Sequence, residues 1–279
     1  MTTVLLPFCD DDVSQHAFEL STQLIRRTNG CVEGLFVLRR PEIMDGDGSM
    51  LADAHFTQLI DECRAMADRA RLRFEAAAAA QDVKMGTGAG DGPVAIWHSL
   101  EGTEQQVVGS HGRLFDVIVV GREFGRGWLN WRMIFESALF ESGRPILLAP
   151  MTPVSTFGEN VVIAWNSSTE TARTVALAMP LLTRARAVTV LAVEGWGVPG
   201  PKASEAAAYL GHAGVRATAR TLPKAERAPA ESILEECTRI GADLLVKGAY
   251  TQSRLRQLMF GGATRHVLAH AKLPVLFAH

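Results

Sequence analysis

The chain has 279 residues, of which 47% are hydrophobic and 21% are charged, a composition typical of soluble globular proteins. Its net charge of −2 excludes a general nucleic-acid binder, and its apolar runs fall short of the roughly 18 residues that a membrane helix needs. Four cysteines without a C-x-x-C spacing predict reduced thiols and no metal site. We therefore expect a cytoplasmic protein that binds neither nucleic acid nor membrane.

The first half alternates β-rich runs with helical patterns, which predicts a parallel sheet covered by helices. Its predicted strands are Thr3–Pro7, Val32–Leu38, Val94–His98, Asp116–Val120 and Pro145–Ala149. Residues 49–80 form a long helical pattern, and its apolar face consists of Phe56, Leu59, Ile60, Cys63, Met66, Ala70 and Phe74. We interpret this insertion as additional packing surface, with a partner-binding element or lid as the alternative.

The second half repeats this order of elements after a short loop. Its predicted strands are Val161–Trp165, Ala187–Val193, Val215–Thr221, Asp243–Lys247 and Leu273–Ala278, with helices at 168–183, 202–213, 229–240 and 256–270. Asp116–Gly121 is similar to Asp243–Gly248, which indicates a duplicated domain. The sequence therefore predicts two tandem doubly wound α/β domains, at 1–150 and 159–279, each a five-stranded parallel sheet flanked by helices.

Two loops of the second half are candidates for ligand binding, because ligands of open parallel sheets bind beyond the carboxyl ends of the strands. One loop is Trp165-Asn166-Ser167, and the other runs from Gly248 into the last helix. Gly248 predicts a sharp turn off its strand, and Gly261-Gly262 predicts backbone amides that approach an anion where the helix begins. The alternative is that these glycines serve only turns and close helix–sheet packing.

The charge of the two halves differs in the direction that an anionic ligand would favour. Residues 1–150 hold 14 Lys and Arg against 21 Asp and Glu, whereas the remaining residues hold 14 against 9. The second half therefore carries a net charge of +5 and the first half −7. The same imbalance also fits attraction between the halves, so it supports anion binding only weakly.

The stretch from Asp243 to His279 resembles the C-terminal third of universal stress protein domains, whose ATP-binding signature is G-x2-G-x9-G-[ST]. Gly248 matches the first glycine and Gly261 the third, whereas Thr251 replaces the second glycine and Gly262 replaces the Ser/Thr. Asn166 stands where the family usually places an aspartate. The resemblance covers the chain in two copies and implies a tandem protein with an adenine-nucleotide-hydrolase-like fold.

The resemblance also implies that ATP or a related adenine nucleotide binds the second domain, with the role of magnesium left open. The residues that it assigns to this site are Trp165, Asn166, Ser167, Gly248, Thr251, Arg254, Gly261, Gly262, Ala263 and Thr264. The replacements in the signature favour weakened but retained binding in a regulatory stress-response protein. A nucleotide-free interaction module is the main alternative. A slow ATPase or hydrolase is disfavoured because the sequence offers no nucleophile–base pair, so we predict no catalytic residues.

The first half lacks the signature. Alignment backward from its last strand places Arg132, Met133 and Phe135 where Gly261, Gly262 and Thr264 stand, which predicts a filled phosphate space. Asp10-Asp11-Asp12 would repel phosphates, and we interpret this run as a helix cap. His266 and His270, four residues apart in the second half, are interpreted as surface or packing residues because no third metal ligand stands nearby.

Assembly is predicted from the resemblance alone. Single-domain relatives dimerise through their last strands, which implies that Pro145–Ala149 and Leu273–Ala278 pair within one chain as a pseudo-dimer. Such pairing would also protect these strand edges from aggregation. A homodimer through Trp128 and Trp131, or through the long helix, is a further prediction.

Overall fold

A computed structural model of the protein describes residues 2–39, 50–87, 92–123, 131–224, 226–249 and 262–279. Contacts divide the chain into two compact units, Met1–Arg144 and Pro145–His279. Both units are α/β with mostly parallel strands, which confirms the predicted fold class. Within the described ranges, no helix combines the length and the apolar character that crossing a membrane requires.

The first unit is a five-stranded parallel sheet in the order β3-β4-β2-β1-β5. Its strands are β1 (Thr3–Pro7), β2 (Cys31–Leu38), β3 (Lys84–Met85), β4 (Val94–Glu101) and β5 (Val117–Gly121), and its helices are α1 (Asp12–Thr28), α2 (Met50–Ala80), α3 (Glu104–His111) and α4 (Trp131–Glu141). The sequence did not predict β3, because two exposed residues give no alternation of apolar and polar positions.

The long helix α2 packs on the sheet through small residues and one aromatic ring. Ala70 and Phe74 are fully buried as predicted, but Met66 is 49% exposed, and its neighbour Ala67 is buried in its place. The ring of Phe74 lies directly over Gly34 of β2, where a Cβ atom would come within 2.4 Å of the ring. The insertion therefore provides packing surface, as the sequence predicted, and its role as a lid or partner-binding element stays a prediction.

The second unit has six strands in the order β6-β11-β10-β7-β8-β9. Its strands are β6 (Ile146–Ala149), β7 (Asn160–Ala164), β8 (Ala187–Val193), β9 (Ala217–Leu222), β10 (Leu244–Gly248) and β11 (Val275–Ala278), and its helices are α5 (Thr169–Leu182), α6 (Ala203–His212), α7 (Pro229–Arg239) and α8 (Ala263–His270). From β11 to β9 in this order, each strand is parallel to its neighbour, whereas β6 runs antiparallel to β11.

The strand that the sequence placed last in the first domain, β6, is counted with the second unit. It pairs with β11 over three residues, from Ile146 opposite Phe277 to Leu148 opposite Val275. The sequence-based domain boundaries and the pseudo-dimer stay predictions. Of the residues proposed for a homodimer, Trp131 is buried within its own unit and Trp128 lies outside the described residues.

The order of the second sheet reverses between β7 and β10. The chain leaves β7 for β8 on one side, and it later returns to place β10 on the other side. Both strands are buried at their carboxyl ends, and the loops that follow them diverge there. This reversal is the place at which open α/β sheets bind their ligands, and it is where the two predicted loops meet.

Candidate functional site

The loop after β7 is built around the side chain of Asn166, which is buried. Its Oδ1 atom accepts hydrogen bonds from Oγ1 of Thr171 at 2.6 Å and from the backbone N–H of Ser168 at 3.3 Å. Ser168 in turn caps α5, because its hydroxyl accepts from the N–H of Thr171 at 3.2 Å. The Asn166 oxygen therefore fixes the first turn of α5, and its predicted contact with a nucleoside is not tested.

A second loop, residues 194–202, holds the loop after β7 in place. Pro201 is the anchor, since its carbonyl oxygen accepts hydrogen bonds from Nε1 of Trp165 and from Oγ of Ser167, both at 2.8 Å. The N–H of Val198 donates to the carbonyl of Asn166 at 3.0 Å. The predicted loop residues Trp165, Asn166 and Ser167 are therefore preorganised by backbone contacts rather than left mobile.

Gly248, at the end of β10, has a different role from the one that the sequence suggested. Its backbone does not adopt the positive φ of a sharp glycine turn. A Cβ atom there would lie 2.5 Å from the backbone nitrogen of Thr171 and 2.8 Å from the carbonyl carbon of Glu170. Glycine is needed because the strand end and the first turn of α5 approach closely, which corrects the predicted reason for this residue.

Lys247, the residue before Gly248, points to the opposite face of the sheet, because side chains alternate along a strand. The residue is buried, and its Nζ donates to the carbonyl of Gly248 at 2.8 Å and to Oγ1 of Thr264 at 3.0 Å. Burial lowers the pKa of Lys247 from 10.5 to about 8, since the charged form is desolvated. Within the described ranges, no carboxylate forms an ion pair with this ammonium.

The start of α8 lies beside this lysine. Gly262 is the N-cap residue and supplies no side chain, and no described residue caps the helix in its place. A Cβ atom at Gly262 would meet no described atom within 4 Å, so the described part of the chain leaves room for a small side chain there. Thr264, in the first turn, is buried and bonded to Lys247. Helix starts of this kind favour anions, because their N–H groups and dipole are positive.

The structure thus brings most of the predicted site residues to one sheet edge. Trp165, Asn166 and Ser167 follow β7, and Gly248, Gly262, Ala263 and Thr264 lie at β10 and α8. Thr251, Arg254 and Gly261 lie outside the described residues. Sequence reasoning missed Lys247, although a lysine within an otherwise apolar buried strand is a visible signal.

A cavity of the second unit adjoins the loop after β7. Its volume is about 390 Å³, and it lies between α5 and α6 above β7 and β8, with Trp165, Val175, Val190, Ala206 and Tyr209 among its lining residues. Gly248 contacts α5, whereas Lys247 contacts α8 on the opposite face of the sheet. The cavity is mainly apolar and therefore lacks the donor groups that are found at the start of α8.

The corresponding edge of the first unit carries different chemistry. Asp11 caps α1 by accepting from the N–H of Ser14 at 2.7 Å, which confirms the predicted helix cap. Its neighbours Asp10 and Asp12 form ion pairs with Arg73 of α2. The insertion helix therefore pairs with carboxylates in the loop that corresponds to the Asn166 loop of the second unit.

The predicted filling of the phosphate space in the first unit is only partly correct. Phe135 is fully buried, but Arg132 and Met133 are exposed on the first turn of α4. These two side chains point outward because α4 already begins at Trp131, so the helical repeat turns positions 132 and 133 away from the core. In the second unit, His270 is exposed, as predicted for the His266–His270 pair.

A doubly wound α/β sheet defines the class of fold, and comparisons with known proteins show what the chain is similar to. The universal stress protein family matches residues 159–279. A universal stress protein from Archaeoglobus fulgidus DSM 4304 superimposes with a TM-score of 0.73 at 16% identity, covering 99% of this chain and 97% of that chain. A candidate universal stress protein from Pseudomonas aeruginosa UCBPP-PA14 gives a TM-score of 0.56 at 15% identity, covering 100% and 93%.

One curated relative is similar in sequence over a short stretch. The stress response protein NhaX of Bacillus subtilis (strain 168) is 46% identical over 48 residues, which is 17% of this chain. The match spans 29% of the length of that relative. The family match covers residues 159–279, and over its whole length the chain has the fold of solved universal stress proteins.

Proposed function

We propose that this stress-response protein acts in the cytoplasm by binding an adenine nucleotide, ATP or a close relative, in its second domain. The observation that carries the proposal is the buried ammonium of Lys247 at the start of α8, bonded to Thr264 and lacking a carboxylate partner among the described residues. The family match over residues 159–279 and the stress-response name of the Bacillus relative support the physiological role.

The surroundings of Lys247 favour a bound phosphate over a helix start without a bound anion. A buried ammonium is costly without a counter-charge, and its position beside the positive end of α8 raises that cost. A phosphate group would relieve both effects, since it would accept hydrogen bonds from the ammonium and from the amides that follow Gly262. The residues present therefore fit the charged tail of a nucleotide.

The nucleoside would lie toward the loop after β7. Trp165, Asn166 and Ser167 line the other side of the strand reversal, and their backbone is fixed by the contacts with Pro201 and Val198. Thr251, Arg254 and Gly261, which lie outside the described residues between β10 and α8, complete the proposed set. ATP usually carries magnesium, and Oε2 of Glu170 at the first turn of α5 is a buried oxygen without a hydrogen-bond partner in the described part of the chain.

The proposal is tested by ATP titration of the full chain with thermal unfolding as the measurement. A ligand that binds only the folded state raises the melting temperature with concentration. We expect this rise for the wild type and its loss in Gly262→Asp, because an aspartate at the N-cap satisfies the helix amides and repels phosphate. Gly262→Ser is the matched control, which caps the helix without a charge and should keep most of the response.

Two outcomes would contradict the proposal. One is a wild-type protein whose melting temperature does not change at millimolar ATP. The other is a Gly262→Asp variant that responds as strongly as the wild type, which would place any nucleotide away from α8. The backbone at Gly262 has a φ of −73°, which every residue adopts, so both variants should fold.

An interaction module without nucleotide is the second candidate function. It is favoured by the internal use of the Asn166 side chain and by two apolar side chains exposed on α2, Met66 and Leu72. This function predicts no response to ATP. It also predicts that Leu72→Asp removes a protein partner while the chain stays folded, which co-purification from cells of the wild type and the variant would show.

A further inference from the structure

Three side chains of the first unit lie close together, whereas the proposed nucleotide site belongs to the second unit. Glu33 lies on β2, His98 lies on β4, and His111 is the last residue of α3. Oε1 of Glu33 is 3.0 Å from Nδ1 of His98 and 2.6 Å from Nε2 of His111. The potential ligand atoms of all three residues lie within 4.8 Å of one another.

The strand register explains how the three side chains meet. Glu33 is opposite Ile96 and Leu35 is opposite His98, so Glu33 and His98 are diagonal neighbours on one face of the sheet. That face is the one opposite α2, because the intervening Gly34 lies under the ring of Phe74. The end of α3 crosses this face and brings His111 to the carboxylate, and the ring of Phe115 packs against His111 with centroids 5.2 Å apart.

The carboxylate of Glu33 is buried, with 9% of its side chain exposed, and therefore needs a positive partner. The structure pairs it with the two histidines, and no Lys or Arg of the described residues lies within ion-pair distance of it. The second unit also has a buried carboxylate, but it pairs this carboxylate with arginines. There Arg220 occupies the strand position of His98, and it pairs with Glu236 at 3.0 Å, as does Arg239 at 2.7 Å.

We propose that Glu33, His98 and His111 form a binding site for a divalent transition-metal ion, with Zn²⁺ as the expected occupant. Arginine cannot ligate a metal, whereas a neutral imidazole can, so the pairing of Glu33 with histidines provides a set of ligands that an arginine pair would not. Two imidazole nitrogens and one carboxylate oxygen are the three-ligand set that Zn²⁺ takes when a fourth position stays open to water.

Three further observations favour a cation at this point. His98 is 52% exposed, which gives an ion a path from solvent, while Glu33 anchors the site from the buried side. His111 ends α3, and the carboxyl end of a helix is negative and attracts cations. The imidazole ligands distinguish the site from those of Mg²⁺ and Ca²⁺, which prefer oxygen.

The rival explanation is a hydrogen-bonded triad in which both histidines donate to Glu33 and no metal binds. The two are separated by zinc titration of the full chain after treatment with a chelator, with calorimetry for affinity and elemental analysis for stoichiometry. We expect one Zn²⁺ at this site in the wild type. We expect His98→Ala, which alters an exposed side chain, to weaken binding by about tenfold or more.

His270→Ala is the matched control, because it removes an exposed histidine from the His266–His270 pair of the second unit. It should leave the zinc affinity of the Glu33 site unchanged. Glu33→Gln keeps the shape of the buried side chain and should also weaken zinc binding. Co²⁺ added in place of zinc should give visible absorption bands in the wild type that His98→Ala lacks.

The proposal is overturned if the wild type binds no zinc, or if His98→Ala and Glu33→Gln bind it as the wild type does. Loss of binding in His270→Ala alone would assign the ion to the other histidine pair and would also overturn the proposal. Because the thermal stability of each variant is measured without metal, a folding defect is distinguished from a lost ligand.

Discussion

The two units differ in what lies above the matching positions of their sheets. In the first unit, Phe74 of the long helix α2 covers Gly34 and contacts the rings of Phe8 and Phe18 with centroids 5.2 and 5.0 Å apart. In the second unit, the short helix α6 leaves a cavity of about 390 Å³ lined by Trp165, Val175 and Val190.

These positions correspond because the same hydrogen bond follows the first strand of each unit. The N–H of Phe8 donates to Leu35, and the N–H of Trp165 donates to Leu191. Gly34 and Val190 are the residues before those two acceptors, so one fold has been packed in two ways. An inserted helix can fill a groove without changing the sheet beneath it, and the unit without the insertion retains space for a ligand.

The charges at the sheet edges differ in the same sense. Asp10 and Asp12 of the first unit are neutralised by Arg73 of α2, whereas Lys247 of the second unit is buried beside Thr264 without a carboxylate partner in the described part of the chain. At this edge the first unit therefore pairs its carboxylates with its own arginine. The second unit leaves a positive charge that an anion would complement.

The largest effect that we predict concerns the space above Gly34, which Phe74 fills. Phe74→Ala should lower the free energy of unfolding of the first unit by about 4 kcal/mol, because it removes a fully buried aromatic ring and leaves a cavity. Denaturant unfolding measures this loss. Leu72→Ala on the same helix is the control, and it should change stability little, since Leu72 is 67% exposed. A Phe74→Ala variant as stable as Leu72→Ala would show that the Phe74 ring does not fill the space above Gly34.

The next prediction concerns Lys247 and pH. Its pKa is about 8 in the folded protein and 10.5 otherwise, so between these values the unfolded chain holds the additional proton and folding becomes more favourable as pH rises. Below pH 8 the cost of the buried charge is fully present. Relative to Lys247→Met, the free energy of unfolding of the wild type should increase by about 3 kcal/mol from pH 8 to 10.5.

Unfolding experiments across this pH range measure the difference, and Lys272→Met, which removes an exposed lysine, is the control. If a phosphate pairs with the Lys247 ammonium, the affinity for ATP should also decrease as pH rises above 8. A pH profile that Lys247→Met leaves unchanged would show that the lysine is not buried as a charge. The second unit would then not differ from the first in holding a buried positive charge at its sheet edge.

The smallest predicted effect comes from a substitution that makes the second unit resemble the first. Val175 of α5 corresponds to Phe18 of α1, and Val175→Phe should fill part of the cavity and raise stability by about 1 kcal/mol. Leu177→Phe, at an exposed position of the same helix, should give no gain. A destabilised Val175→Phe variant would indicate a cavity too rigid to accept the ring.

Much of the fold could be predicted from the sequence, because strands buried on both faces produce apolar runs that are separated by helical patterns. The predicted β1 agrees with the structure in both bounds, and β8 does as well. The pairing of β6 with β11 was implied only by the family resemblance and not by the local pattern, since the partner of β6 lies more than a hundred positions away in the chain.

The candidate site was predicted less completely. Glycine spacing and the family resemblance indicated Gly248 and Thr264, but not that Lys247 bonds to Thr264. Lys247 and Glu33 share one signal, a charged residue within a strand predicted to be buried. That signal identifies the residue that requires a partner, but it does not identify the partner.

By itself the sequence determined the class of fold, because periodicity is a local property of the chain, and the duplication and the nucleotide site of the second half stay predictions from internal and family resemblance. Only the tertiary structure decided that Gly248 is required by the first turn of α5 and that His98 and His111 meet at Glu33. These contacts join residues far apart in the chain, and sheet register and helix packing bring them together.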